Sequence, residues 1–321
     1  MAAPSRQQHI FSILTEPNYT MALWMPGFAL HALWGQWHTI PLPSLDHFAG
    51  QTILVTGANV GLGREAACHF ACLGAARVVV ELGSFASVAA FCARAARELD
   101  RLDAVVENAG LATGDFALRE GYESTITVNV LSTFLMALLL LPVLRRTAAR
   151  YNVRPRLTIV SSDAHYFARF VEANEPSIFA NFRDPAKMSH DRYNVSKLLE
   201  VFAVRELAKV LDANHVPVTL NTLNPGFCRT ELFRGMPAFV RPFMKVSLFV
   251  MGRTAEMGAR TLVAAAAAGP ETHGTYMDAA EVWHTSAYVT SEKGADVQKR
   301  VFTELLDILE GVHPGIKKNL E

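Results

Sequence analysis

Residues 52–63 read TILVTGANVGLG, and the fold turns on them. Thr52 to Thr56 is a short β-branched and apolar run, the composition of a strand buried on both faces. It passes directly into a turn holding Gly57, Gly61 and Gly63, and then into the helical spacing of Arg64 to Leu73. Glycine suits such a turn because positive φ costs it little and its missing Cβ lets backbone approach a bound anion. The following helix offers unpaired N–H groups and the positive end of its dipole to that anion. Strand, glycine turn and helix N-terminus in this order can hold a dinucleotide pyrophosphate, although the same pattern also occurs as plain structure.

Outward from that stretch, Arg77 to Val80 reads as a second strand, Ser84 to Leu99 as a helix and Ala104 to Glu107 as a third strand. A helix around Tyr122 to Leu140 is expected to end at Pro142. A strand over Leu157 to Val160, a helix over Tyr193 to Leu211 and a strand over Val218 to Asn221 follow. Helices over Ala255 to Ala268 and near Ala295 to Leu309 close the chain. Short apolar strands alternating with helices predict an α/β fold, a Rossmann-like three-layer sandwich with a mostly parallel sheet. No internal repeat or low-complexity linker divides it, so residues 49–321 read as one domain behind an apolar, aromatic extension over 1–48.

Half of the 321 residues are apolar and 19% are charged, the composition of a compact protein. The 30 basic and 30 acidic residues cancel, so no global field draws nucleic acid or acidic lipid. Cys68, Cys72, Cys92 and Cys228 lack metal-ligand spacing, and no metal is expected. Cys68 and Cys72, four apart on one helix face, read as a reduced, packed pair. Met1 to Thr20 has no signal-peptide form, which makes a cytoplasmic location the expectation. Residues 21–37, MALWMPGFALHALWGQW, hold three tryptophans but are interrupted at Pro26 and Gly27 and are short for a membrane span. Weak membrane-surface association is one reading; the other is an extension packing its aromatics on the main domain or on a partner subunit.

Further motifs follow in order. Asn108-Ala109-Gly110 succeeds the third strand, Asn129 lies in the next helix, Ser161-Ser162 ends a strand, Tyr193 and Lys197 stand four apart, and Pro225-Gly226 ends the strand after that. Tyr193 and Lys197 share a helix face. A tyrosine near its usual pKa of about 10 is a poor base at neutral pH, and a nearby ammonium moves it toward working range. Singly, these are ordinary helix surface, a turn or cap, and a buried amide. Together, across roughly residues 50–230, they resemble the short-chain dehydrogenase/reductase family. The phrases VENAGLATG, YESTITVNV, RYNVSKLLE and TLNPGFCRTEL, with WGQW in the extension, are similar to fungal members of its retinol-dehydrogenase-like group.

That resemblance implies an NAD(P)-dependent oxidoreductase interconverting a ketone or aldehyde and an alcohol, in fungal secondary metabolism, with NADP the commoner cofactor. It implies Tyr193 as acid/base, Ser162 holding the substrate oxygen, Asn129 holding helix backbone and water in a relay, and Lys197 on the nicotinamide ribose. The cofactor would lie along Gly57, Asn59, Gly61, Leu62 and Gly63, then Asn108, Ala109 and Gly110, Tyr193 and Lys197, and finally Pro225, Gly226 and Thr230. The substrate would be a small apolar carbonyl or alcohol, and Phe239 to Met251 resembles a mobile substrate loop. Homodimers or homotetramers are common in the family, and the leucines over 135–144 fit an interface or ordinary burial.

The pattern departs from the family in one place. Gly63 and Asn108 are 45 positions apart, where the resemblance implies a considerably longer stretch. The chain is truncated between about 80 and 84, so that one edge strand and one helix are missing; a skipped coding segment would leave the same sequence. Glu81 has two readings. As the end of the second strand it would bind ribose hydroxyls and favour NAD. As the acidic residue after the lost strand, which the following GSFASV favours, its position follows from the truncation. Losing an edge strand exposes its neighbour and uncovers the adenine pocket, so the fold is expected to survive more readily than cofactor affinity. Two other functions therefore stand beside hydride transfer: a degenerate binding or scaffold protein, and a redox-neutral isomerase or cyclase using the tyrosine.

Overall fold

The computed structural model describes residues 26–81, 84–230, 232, 248–249 and 251–321. Helix α1 (Pro26–Trp37) precedes β1 (Thr52–Thr56), α2 (Gly61–Cys72), β2 (Arg77–Glu81), α3 (Phe85–Glu98) and β3 (Ala104–Glu107). A hairpin, β4 (Leu118–Arg119) and β5 (Tyr122–Glu123), leads into α4 (Ser124–Tyr151). Then come β6 (Arg156–Val160), a run of 3-10 turns over 163–187, α5 (Arg192–Ala213), β7 (Thr219–Asn224), α6 (Ala255–Ala267), β8 (Tyr276–Asp278), β9 (Glu281–Trp283) and α7 (Glu292–Val312).

The sheet runs β2-β1-β3-β6-β7-β8-β9, parallel except for β9. Alternation along the strands sorts two cores. Leu54, Val105, Leu157 and Leu220 face α3, α4, α5 and α7, while Ile53, Val55, Ala104 and Val106 face α2 and α6. The order reverses at β1, where β2 lies on one side and β3 on the other. That crevice is where an open parallel sheet binds ligands. As the sequence implied, β2 is the sheet edge, in register with β1 from Thr52↔Arg77 to Thr56↔Glu81. The connection through α3 carries the chain past β1 to β3.

Several expectations need correction. Pro142 does not end its helix, because α4 continues to Tyr151. Proline leaves the carbonyl four residues earlier without its donor, and the Asn319 side chain supplies one to Leu138 O at 3.1 Å. Cys68 and Cys72 are free thiols, but exposed rather than packed; Ala66 and Phe70 take the buried face of α2. The extension packs on the main domain, with Ile40 and Phe48 fully buried and the Phe48 ring edge-on to Phe70, but its described tryptophans take little part. His31 bonds Asp278 at 2.7 Å and stacks on Trp283 at 3.5 Å, while Trp34 and Trp37 stay 44% and 68% exposed. The leucines over 135–144 are nearly all buried in the chain's own core. Most of the expected substrate loop, Phe239 to Met251, lies outside the described residues, as do positions 82–83.

Candidate active site

The glycine turn is built against the end of β3. The Asn108 and Ala109 N–H groups both donate to Thr56 Oγ1 at 2.9 Å, and Asn108 Nδ2 donates to Thr56 O at 3.0 Å. Gly57 has φ +66°, and a Cβ there would lie 3.0 Å from Ala109 Cα. A Cβ at Gly63 would meet Asn108 Nδ2 at 2.5 Å and Gly57 O at 2.6 Å, so this glycine lets helix and turn close together. Thr56, unremarked in the sequence, is the clamp that joins the two motifs.

Helix α2 begins at this turn with Val60 as its N-cap and no side-chain cap. Its first N–H groups therefore open toward a cavity of about 770 Å³. Gly57, Asn59, Gly61, Leu62, Asn108, Ala109 and Gly110 line one side of it. Tyr193, Lys197, Pro225 and Thr230 line the other, and Ser84, Arg119 and Glu120 border it beside the end of β2. Of the site residues read from the sequence, Gly63, Gly226, Asn129 and Ser162 fall outside the lining. Gly63 packs as described, and Gly226 sits against Arg253 and Gln36, whose side chains a Cβ would approach to 2.9 and 3.2 Å. The glycine turn and uncapped helix fit a pyrophosphate, and the Tyr193–Lys197 face fits a ribose and nicotinamide. Glu81 ends β2, opposite Thr56.

At the reaction end, α5 presents Tyr193 and Lys197 on one face, with the ammonium 5.7 Å from the Tyr193 ring centre. The Tyr193 hydroxyl lies beside that of Ser162, which slightly favours its ionised form. Ser161 borders the cavity but donates its hydroxyl to Lys197 O at 3.0 Å, which leaves Ser162 as the serine of the pair beside the Tyr193 hydroxyl. Burial pushes the Tyr193 pKa above the ordinary phenol value; Lys197 pulls it down and Glu200 pushes it up again. Lys197 donates to Val160 O at 2.9 Å and to Glu200 Oε1 at 2.8 Å. Burial opposes its charge, but Glu200 and Tyr193 more than offset this, and its pKa lies above the usual lysine value.

Asn129 is fully buried in a π-helical stretch, Thr127–Ser132. Its side chain accepts from Leu111 N at 2.8 Å and donates to Leu111 O at 3.0 Å and to Ser196 Oγ at 2.9 Å. It thus ties the loop after Gly110 to the helix carrying Tyr193. Other supports carried no sequence signal. Arg192, beside Tyr193, is buried against Glu172 at 2.7 Å and anchors the turns over 163–187 to the start of α5. His165 bonds Ser162 O through Nδ1 at 2.8 Å, and Ser286 N donates to its Nε2 at 3.2 Å, which makes Nδ1 the protonated nitrogen. Burial lowers its pKa to about 4, so it stays neutral and braces Ser162. Asp163, pushed up to about 7 by burial and by Asp278, accepts from Tyr276 Oη at 2.7 Å.

Comparison with known proteins bears on the same residues. A family model described as short chain dehydrogenase matches residues 78–151. A short chain dehydrogenase/reductase of Cryptosporiopsis sp. is 38% identical, covering 88% of this chain and 97% of its own. A short chain dehydrogenase of Gibberella zeae is 36% identical, with 88% and 92% covered. The Cryptosporiopsis alignment spans 317 positions yet draws on 88% of these 321 residues, so part of that relative has no counterpart here. Among solved structures, an uncharacterized protein from Mycobacterium paratuberculosis superposes with TM-score 0.61 at 24% identity, over 85% of this chain and 97% of that one. An NADPH-bound carbonyl reductase from chicken fatty liver does so at 0.54 and 17%, over 74% and 100%. At these identities the structural likeness speaks for the fold.

Proposed function

Since the chain belongs to the short-chain dehydrogenase/reductase family, we propose that it reduces a small apolar ketone or aldehyde to the alcohol, with NADP as its preferred cofactor, in fungal secondary metabolism. The observation that carries this reading is that Tyr193, with Ser162 beside it, and Lys197 stand at one end of a cavity whose other end is an uncapped helix N-terminus.

A bound nicotinamide supplies the hydride. The chain's own part is to hold and protonate the carbonyl. Ser162 donates to the carbonyl oxygen and orients it toward Tyr193, whose hydroxyl proton passes to that oxygen as the alkoxide develops. Lys197 keeps one N–H free of Val160 and Glu200 to meet ribose hydroxyls. Gly57, Asn59, Gly61 and Leu62 would carry the phosphates, and Thr230 the carboxamide side.

A second reading, a binding protein without turnover, draws support from the segment missing before Ser84. Fluorescence titration with NADPH and NADH separates the two, followed by a carbonyl screen. Saturable binding below millimolar concentration and carbonyl-dependent oxidation of either cofactor, the oxidation abolished in Tyr193→Phe, is the expected result. Folded protein that binds neither cofactor at millimolar concentration would end the reductase reading.

A further inference from the structure

Glu200 stands about one turn beyond Lys197 and two beyond Tyr193 on α5, and nothing in its spacing marks it for notice. An acid three residues after a lysine is normally a solvated surface pair contributing little. Here the side chains of Lys197 and Glu200 are only 5% and 2% exposed. Taking two charges out of water is costly, and an attraction in such a place is felt strongly by whatever lies beside it.

The geometry defines what Glu200 does. Lysine has three N–H donors; one goes to Val160 O, one to Glu200 Oε1, and the third is left toward the cavity. Glu200 Oε2 has no hydrogen-bond partner within reach, and the adjacent Ser161 hydroxyl, which donates to Lys197 O, adds only the smallest of the influences that favour its ionised form. The carboxylate is therefore committed to the lysine.

Other ionisable groups near α5 are engaged elsewhere. From the turns over 163–167, Asp163 accepts from Tyr276 and is flanked by Asp278 and Arg253. His165 is bonded to Ser162 O and Ser286 N, and Tyr166 to His284 O. From the start of α4, Glu123 accepts from Ser124, Thr125 and Ile126. From α7, Gln298 meets Arg205 and Glu206, farther along α5. At the helix start Arg192 is paired with Glu172, and Asp191 holds Arg169 N and Asn194. Among the described residues, only Lys197 and Glu200 act on Tyr193 through charge.

We propose that Glu200 is a positioning residue of the reaction end: its carboxylate fixes the Lys197 ammonium, cancels much of that cation's field at Tyr193, and so holds the tyrosine as a proton donor, biasing this chain toward carbonyl reduction. A bare lysine would stabilise the phenolate and suit alcohol oxidation, in which the tyrosine must take a proton. Burial already favours the hydroxyl form, and Glu200 opposes the pull of Lys197 toward the phenolate. In each reduction the Tyr193 O–H bond breaks as the product O–H bond forms, and the phenolate regains a proton from water. Burial pushes Glu200 up to about 7, so it is ionised throughout the alkaline range in which Tyr193 titrates.

This inference takes its reaction from the reading above, but its first test needs no cofactor. Tyrosinate absorbance of the full chain is titrated against pH, and subtraction of a Tyr193→Phe titration isolates Tyr193. In the unmodified protein the midpoint is expected at or above about 10; a midpoint near 7 to 8 would overturn the proposal even if no variant folds. In Glu200→Gln, paired with its own Tyr193→Phe control, the midpoint is expected to fall by about one pH unit or more. Glu200→Asp should restore part of the shift. An unmoved midpoint in folded Glu200→Gln, verified by circular dichroism, would also overturn it. With a carbonyl substrate and NADPH, the alkaline limb of the reduction should move down with the tyrosine. Absence of nicotinamide binding would count against the reductase reading alone and leave the absorbance result standing.

Discussion

Replacing Glu107 with glutamine tests how the end of β3, which carries the Asn108-Ala109-Gly110 turn, is held in a low-dielectric setting. Glu107 is 4% exposed, and its Oε1 has no hydrogen-bond partner. Burial alone pushes its pKa well above the usual carboxylate range. Unfolded, the same group ionises near pH 4.3. Between that pH and its folded pKa, the unfolded state binds one proton fewer than the native state. The unfolding free energy then falls as pH rises, by about 1.4 kcal/mol per unit for this one group. The native protein is favoured by this group at low pH and penalised as the medium turns alkaline. Glutamine has the same shape and does not titrate, so its slope is absent. The difference between Glu107→Gln and the parent should widen in the variant's favour as pH rises above the ordinary carboxylate range, at up to that slope for as long as Glu107 stays protonated in the fold. Asp163 and Glu200, raised to about 7, titrate in both proteins and cancel from the difference. Urea unfolding at several pH values, followed by tryptophan fluorescence, measures it. Parallel slopes would refute the reasoning, since they would mean that Glu107 is ionised where it stands.

Two other perturbations follow from particular bonds. Asn319→Ala leaves the Leu138 carbonyl, already deprived of a donor by Pro142, without its side-chain partner; a loss of about 1–2 kcal/mol in urea unfolding is expected, and an unchanged midpoint would show that another group takes over. Val60→Asp supplies the missing cap of α2, so thermal stability should rise by the equivalent of about 1 kcal/mol. The same carboxylate faces the anion site, and NADPH affinity should fall at least tenfold by fluorescence titration; unchanged affinity would move the phosphate site away from this helix.

The parallel strands were legible because each is a compact apolar run beside a helical pattern, and β1 needs five residues to declare itself. The hairpins were not. Beta-strands β8 and β9 have three residues each, and they turn at Ala279 and Ala280 with φ of +47° and +70°. Asparagine or glycine normally announces such a turn; two alanines do not. Asp278 Oδ1 accepts from Ala279 N and helps hold the conformation, a tertiary cause invisible to local propensity. Pro142 misled for a related reason, since the group that compensates it lies 177 positions away at residue 319. At the site, spacing alone paired Tyr193 with Lys197. Spacing could not distinguish Ser162 from Ser161, nor a buried Lys197–Glu200 pair from a surface one. Those distinctions depend on which way β6 and α5 face each other.

The two ends of the cavity are built from different parts of the chain, and this decides where the truncation expected from the short spacing between Gly63 and Asn108 would be felt. Tyr193 is held by Ser162 and by the Arg192–Glu172 pair, Lys197 by Val160 and Glu200, and Asn129 by Leu111 and Ser196. Every one of these partners lies after residue 110. The other end is bordered by Ser84, next to the shortened connection after β2. A less complete wall there weakens the hold on the remote part of a dinucleotide without displacing the groups that touch the carbonyl. A loss of uniform binding raises KM and spares kcat. Initial rates against NADPH concentration should therefore show weak apparent affinity with a turnover that recovers at saturation. Tyr193→Phe should collapse kcat and leave that apparent affinity as it is in the parent. A parent protein with tight NADPH binding and poor turnover would place the defect at the reaction end and contradict this division of the site.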